Sequence, residues 1–211
     1  MQQLFSMDSK FMKIMGRIGD LILLNFCYII TCIPIITIGA ATTALYTVCF
    51  RLGTDREEGT IRSYFSAFKD NFKQATLLWL ILLLILVTAF LNTWLFYLMP
   101  LPMHYAYVVF AILFILAFFI FSYAFPLMSQ FDNCNKAIFK NALIMGLGYL
   151  PRTILIAALN ILPWVLLLIN LYGFLQMSFL WVMLYFSTAA FLNTKLFHKV
   201  FAPYMTEIDT N

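Results

Sequence analysis

The sequence predicts an all-α, polytopic membrane protein. It should consist of a short or re-entrant N-terminal helical hairpin, four transmembrane helices and cytoplasmic amphipathic helices. Three observations carry that prediction. Of 211 residues, 64% are hydrophobic and only 10% charged, whereas soluble domains carry about 25% charged residues. Four runs, 76–99, 105–128, 149–169 and 172–196, are almost free of charge, and each reaches the roughly twenty residues a helix needs to cross a bilayer core. Lys and Arg gather in alternate connectors, which is a topology signal. The chain length fits one integral membrane domain, 1–211.

The N-terminal segment comes first. Lys10, Lys13 and Arg17 precede an apolar stretch from Leu21 to Phe50. That stretch is long for one span and short for two, and it contains Pro34 and Gly39. Proline lacks an amide hydrogen and disfavours helix at the residue before it, so the chain should break at Ile33–Pro34. We read 18–50 as a broken helical hairpin, with Thr37 as N-cap of its second arm. Arms of about 13 to 16 residues would reach some 20 to 24 Å, which leaves full crossing and re-entry both open. "GAA" at 39–41 resembles a leader cleavage site, but apolar sequence continues past it, which argues against cleavage. Gly39 and Thr43 stand at small-xxx-small spacing, so the first expectation is close helix packing. The other is a pore or substrate contact made by unwound backbone.

The next connector is basic. After a polar turn, "GTDREEGT", residues 60–74 place Ile61, Tyr64, Phe65, Phe68 and Phe72 at helical spacing. Arg62, Ser66, Lys69, Asp70 and Lys73 fill the other side. Such a helix should lie on the membrane surface or press into a partner. A weaker version, "DNCNKAIFKNALIM", follows the second long run. Asp132 or Asn133 could cap it, with Ile138, Phe139 and Ala142 on one face and Lys136 and Lys140 on another. The connectors "PLPMH" and "NLYG" hold no Lys or Arg, while the tail holds Lys195 and Lys199. The basic segments therefore face the cytoplasm, and both termini with them, in a multi-pass cell-membrane protein.

Reactive residues are sparse. His104 and His198 fall on opposite sides of the predicted membrane, and Cys27, Cys32, Cys49 and Cys134 show neither CxxC nor metal spacing. HExxH, GxSxG and phosphate-loop patterns are absent. Glu57 and Glu58 read as a solvated turn, and Asp20 as an interfacial charge near Arg17. No catalytic residue, cofactor site, metal site or nucleic-acid footprint is expected, and the chain is not read as an enzyme. The intramembrane polar groups are amides: Asn25, Asn92, Asn160, Asn170, Gln176 and Asn193. These suit interhelical hydrogen bonds. Pro163 should kink its span and free a carbonyl, which Asn160 could help satisfy.

The stretches "NFCYIITCIPIITIGAATTALY" and "REEGTIRSYFSAFKDNFKQATLLWLI" resemble the YesL-like family of bacterial integral membrane proteins, a domain of unknown function. The resemblance covers most of the chain and is most specific from Asn25 to Ile81. It implies a multi-span protein of Gram-positive-type bacteria, and association with carbohydrate-uptake transporters and polysaccharide use. It supplies no catalytic residues.

The expected function is therefore a non-catalytic accessory component of a carbohydrate-uptake or envelope system. Its partners would be the lipid bilayer and a sugar transporter or other membrane protein. The alternative is a small-solute transporter or channel using the broken hairpin around Pro34 and Gly39. The residues on which these readings rest are Asn25, Pro34, Thr37, Gly39, Thr43, Phe65, Phe68, Phe72, Asn160 and Pro163.

Overall fold

Helices account for nearly all of the chain that the computed structural model describes, residues 10–52, 59–100 and 102–208. In order they are α1 (Lys10–Cys32), α2 (Ile38–Leu52), α3 (Thr60–Tyr97), α4 (Ala106–Gln130), α5 (Asn135–Gly148), α6 (Leu150–Ile169), α7 (Leu171–Gln176), α8 (Ser178–Leu180) and α9 (Phe186–Ile208). Short 3₁₀ turns, Ile35–Thr37 and Met103–Tyr105, precede α2 and α4. A π-helical turn, Trp181–Tyr185, precedes α9. Among the described residues there is no strand, and five helical segments are long and apolar enough to cross a membrane: Ile14–Cys32, Ile35–Leu52, Thr60–Tyr97, Met103–Gln130 and Leu150–Ile169. The polar turn with Gly53, Arg56, Glu57 and Glu58 lies outside the described residues.

The first apolar stretch does break at Pro34, which sits in extended backbone between α1 and the 3₁₀ turn. α1 begins at Lys10, so its arm is longer than the apolar run alone indicates. Thr37 does not cap α2. Its hydroxyl donates to the carbonyls of Thr31 and Pro34 instead. The physical reason is that Pro34 has already removed one donor, and the chain needs donors for the carbonyls the break releases.

The expected division between an amphipathic helix at 60–74 and a span at 76–99 does not exist. Both belong to α3, 38 residues long, about 57 Å at 1.5 Å per residue. No glycine or proline falls between Thr60 and Tyr97, so nothing interrupts the hydrogen-bond ladder where the composition changes. The expected apolar face is also split. Tyr64 is buried and Phe68 half-buried, but Ile61, Phe65 and Phe72 are exposed. The stripe that packs runs through Thr60, Ser63, Tyr64, Ala67, Ala75, Leu78, Trp79 and Leu82. Its small members let α2 lie close.

α2 is the centre of the bundle, in contact with α1, α3, α4 and α9. Ten of its fifteen residues are buried. The α1–α2 turn meets α3 at Trp79, whose Nε1 donates to the Ile35 carbonyl at 2.7 Å. The hairpin therefore accompanies only the first half of α3. Its other end is tied to the same helix, where Thr60 donates to Asp20 Oδ1 at 2.6 Å. α3 continues past Trp79 for about 27 Å, pairing there with α4 through Phe90–Phe114 and stacked Phe96–Phe110.

α5 folds back along α4. Ile138 and Ala142 are buried and Lys136 and Lys140 exposed, as their spacing predicts. Its cap is Cys134, with no side-chain bond, and not Asp132 or Asn133. The run at 172–196 is not one helix. Asn170 caps α7 by accepting from the Gly173 amide at 2.9 Å, a short α8 follows, and the π-helical turn leads into α9. Asn170 sets the start of α7, and the interruptions fall later, at Met177 and at the π-helical turn, where no glycine or proline marks them.

Candidate functional site

Each irregularity in these helices frees backbone groups that lipid cannot satisfy. Pro163 removes the ladder bond to the carbonyl four residues back, Leu159. Tyr185 donates its hydroxyl to that carbonyl. Asn160, the expected partner, does something else: its Oδ1 accepts from Asn193 Nδ2 at 3.1 Å. Asn160 points across to α9, and Tyr185 has the reach to cover the freed carbonyl. Pro203 similarly frees the Lys199 carbonyl, and Arg152 donates to it at 3.1 Å.

The π-helical turn is the largest irregularity, and Asn25 serves it. Its Nδ2 donates to the carbonyls of Trp181 at 3.3 Å and Val182 at 2.6 Å. Its Oδ1 accepts from the Ser187 amide at 2.9 Å. A single fully buried amide thus answers displaced acceptors and a displaced donor. π turns are frequent at functional sites, and this one borders a cavity.

The cavity has a volume of about 490 Å³ and lies between the hairpin, α3, α4, α6 and α9. Ile29, Ile33, Ile38, Leu45, Phe121, Phe186, Ala189 and Ala190 give it an apolar wall. Tyr28, Thr42, Tyr46, Asn160 and Tyr185 add polar groups, and no Asp, Glu, Lys, Arg or His lines it. Ile33 and Trp164 belong to this wall yet are 75% and 63% exposed. The cavity is therefore continuous with the outer surface of the bundle at those two residues.

Most of its polar atoms are committed elsewhere. Thr42 donates to the Ile38 carbonyl, and Tyr28 lies 3.4 Å from the Thr42 oxygen. Tyr46 accepts from Asn193 Nδ2 at 3.2 Å. The Tyr46 hydroxyl proton and the Asn160 Nδ2 group have no acceptor among the described residues. Beside them, Asn193 Oδ1 is buried with no hydrogen-bond partner there.

The remaining predicted residues are scattered. Gly39 and Thr43 face α3 and α4. A Cβ on Gly39 would stand 2.5 Å from Trp79 Cβ and 2.6 Å from the Ala75 carbonyl. Thr43 donates to the Gly39 carbonyl at 3.0 Å and lies 3.8 Å from Met128 Sδ. Pro34 is exposed at the turn, and Thr37 lies beside it. Phe65 and Phe72 are exposed on α3, with Phe68 between them, edge to face against Phe72. Of the predicted set, only Asn160 lines the cavity. Sequence reasoning missed Tyr28, Thr42, Tyr46 and Tyr185. Tyr185 is a tyrosine in an apolar run, and only the assembled helices show that it faces the Pro163 region of α6. The other three gave no sequence signal either.

Residues 21–93 match the family described as "Protein of unknown function, DUF624", also known as YesL-like. That span includes the second half of α1, all of α2 and nearly all of α3. No match is found among curated proteins or among solved structures.

Proposed function

We propose, from the family match over residues 21–93, that this is a YesL-like, non-catalytic accessory component of the cell membrane. It would be associated with a carbohydrate-uptake or envelope system and meet its partner through the outer face of α3. The observation that carries this reading is the division of that helix. One stripe packs on the hairpin, while Ile61, Phe65 and Phe72 stand exposed beside Arg62, Lys69 and Lys73. An aromatic and basic face on a helix already supported from behind is a rigid surface for docking.

Affinity capture of the full chain in mild detergent tests it. A sugar transporter or envelope component should be recovered, and lost with Phe65→Asp or Phe72→Asp. Recovery of the same proteins with those variants, or of neither class, defeats the reading.

The proposed orientation keeps both termini cytoplasmic. It also makes the hairpin re-entrant. α3 is about 57 Å long against a core of about 30 Å, so much of it lies outside the hydrocarbon. The half carrying Arg62, Lys69, Asp70 and Lys73 is the half beside the hairpin. With an impermeant maleimide added outside, Met103→Cys should be labelled and Ile35→Cys should not. Equal labelling means the hairpin crosses.

A second reading, a small-solute transporter or channel, is favoured by one observation: the cavity adjoins the broken hairpin at Ile33 and Ile38. Solute flux in proteoliposomes, abolished by Thr42→Phe, is its test. Substitution of Gly39 cannot serve, because that site is filled by Trp79 and Ala75.

A further inference from the structure

We infer that the cavity between the hairpin, α6 and α9 binds a neutral amphiphile drawn from the lipid phase. It would hold a carbonyl or hydroxyl oxygen at the inner end and let an apolar chain trail out between Ile33 and Trp164.

The argument begins with size. At about 490 Å³ the cavity falls within the usual range of roughly 300–1,000 Å³ for small-molecule sites. Left to water, it would hold about sixteen molecules at some 30 Å³ each. Each water needs two to four polar partners, and this wall supplies few, since Thr42, Tyr185 and Trp79 spend their donors on backbone carbonyls. Apolar filling is the stable state. The access route is apolar too, because Ile33 and Trp164 are both wall and outer surface.

Chemistry then narrows the occupant. Two donors remain without acceptors, the Tyr46 hydroxyl and Asn160 Nδ2. Asn193 Nδ2 bonds to both residues, to Tyr46 Oη at 3.2 Å and Asn160 Oδ1 at 3.1 Å, which sets the two side chains beside one another at the cavity wall. A pair of donors selects an acceptor oxygen. With no Lys, Arg or His in the wall, nothing offsets the cost of burying a carboxylate or phosphate there. Tyr46 lies about two helical turns from the α1–α2 turn, so the polar end sits deep and the mouth is greasy. A fatty-acyl glycerol ester is the simplest molecule of this kind.

The test uses the full chain in phosphatidylglycerol vesicles and a monoacylglycerol carrying a diazirine and an alkyne. Photolabelling should concentrate near Ile29, Ile33 and Trp164, and unlabelled monoolein should compete it away. Asn160→Leu should weaken labelling about fivefold, as for one lost hydrogen bond, while an ester-free hydrocarbon diazirine labels the variant and the wild type alike. Ala190→Phe, which fills the cavity, should abolish labelling by both probes. Should that variant not elute as a single species, competition in the wild type decides. Labelling spread evenly over Leu84, Leu91 and Leu168 without competition overturns the inference, as does equal ester labelling of Asn160→Leu and wild type. The outcome is independent of whether any protein partner docks on α3.

Discussion

α2 and α6 are both apolar helices of similar length, and they are used in opposite ways. α6 is the more apolar, with mean hydropathy 2.1 against 1.5, yet only 17% of its span is buried, against 61% for the α2 segment. Hydropathy does not decide which helix becomes the core, because lipid tails are as apolar as leucine. Small side chains do. α2 buries Gly39, Ala40, Ala41, Thr43 and Ala44, so neighbouring backbones approach and dispersion contacts accumulate. α6 presents Ile154, Leu155, Leu162, Leu166 and Leu168 outward, which hold neighbours off and suit lipid.

The sharpest way to break this contrast is bulk. Gly39→Leu should destabilise the bundle by about 3 kcal/mol, the upper part of the overpacking range, because its Cβ alone would meet Trp79 and the Ala75 carbonyl. The matched change on α6, Ala158→Leu at an exposed position, should stay within about 0.5 kcal/mol. Thermal unfolding in detergent, followed by size exclusion, reads both. Equal losses would show that α2 and α6 do not differ as described.

A smaller effect is expected from Asn25→Leu. It strips partners from two carbonyls and one amide at the π-helical turn, with a cost of about 1–2 kcal/mol. Hydrogen exchange should accelerate selectively at Ser187, and exchange unchanged there would mean the turn does not depend on Asn25. The smallest effect belongs to α6. Tyr185→Phe leaves the Leu159 carbonyl beside Pro163 without its donor, worth about 0.6 kcal/mol for an average interhelical bond in lipid. A loss as large as that for Gly39→Leu would place α6 in the core after all.

These regions differ also in how well they could be read in advance. The break at Pro34, the small-residue packing at Gly39 and Thr43, and a helix within 132–145, though not its cap, were legible because each depends on neighbours a few residues away. The boundary expected near Gln74 was not real. A change from polar to apolar surface alters what surrounds a helix, and only a glycine, a proline or a competing side chain alters the helix itself. The 172–196 run failed for the converse reason: its π-helical turn is served by Asn25, a side chain from α1 that an apolar count of the run passes over. The candidate site was almost invisible. Asn160 was found as an amide in an apolar run, but the tyrosines around it look like any others until the helices are assembled.

By itself, then, the sequence determined that the chain belongs in a membrane, that it is helical, and where proline would interrupt it. Apolar length and a missing amide hydrogen act locally and do not depend on the fold. The tertiary structure alone decided which side chain answers each freed backbone group and where a cavity is left. Asn25 and Ser187 are 162 residues apart, and nothing short of packing α1 against the start of α9 brings a donor within reach of its acceptor.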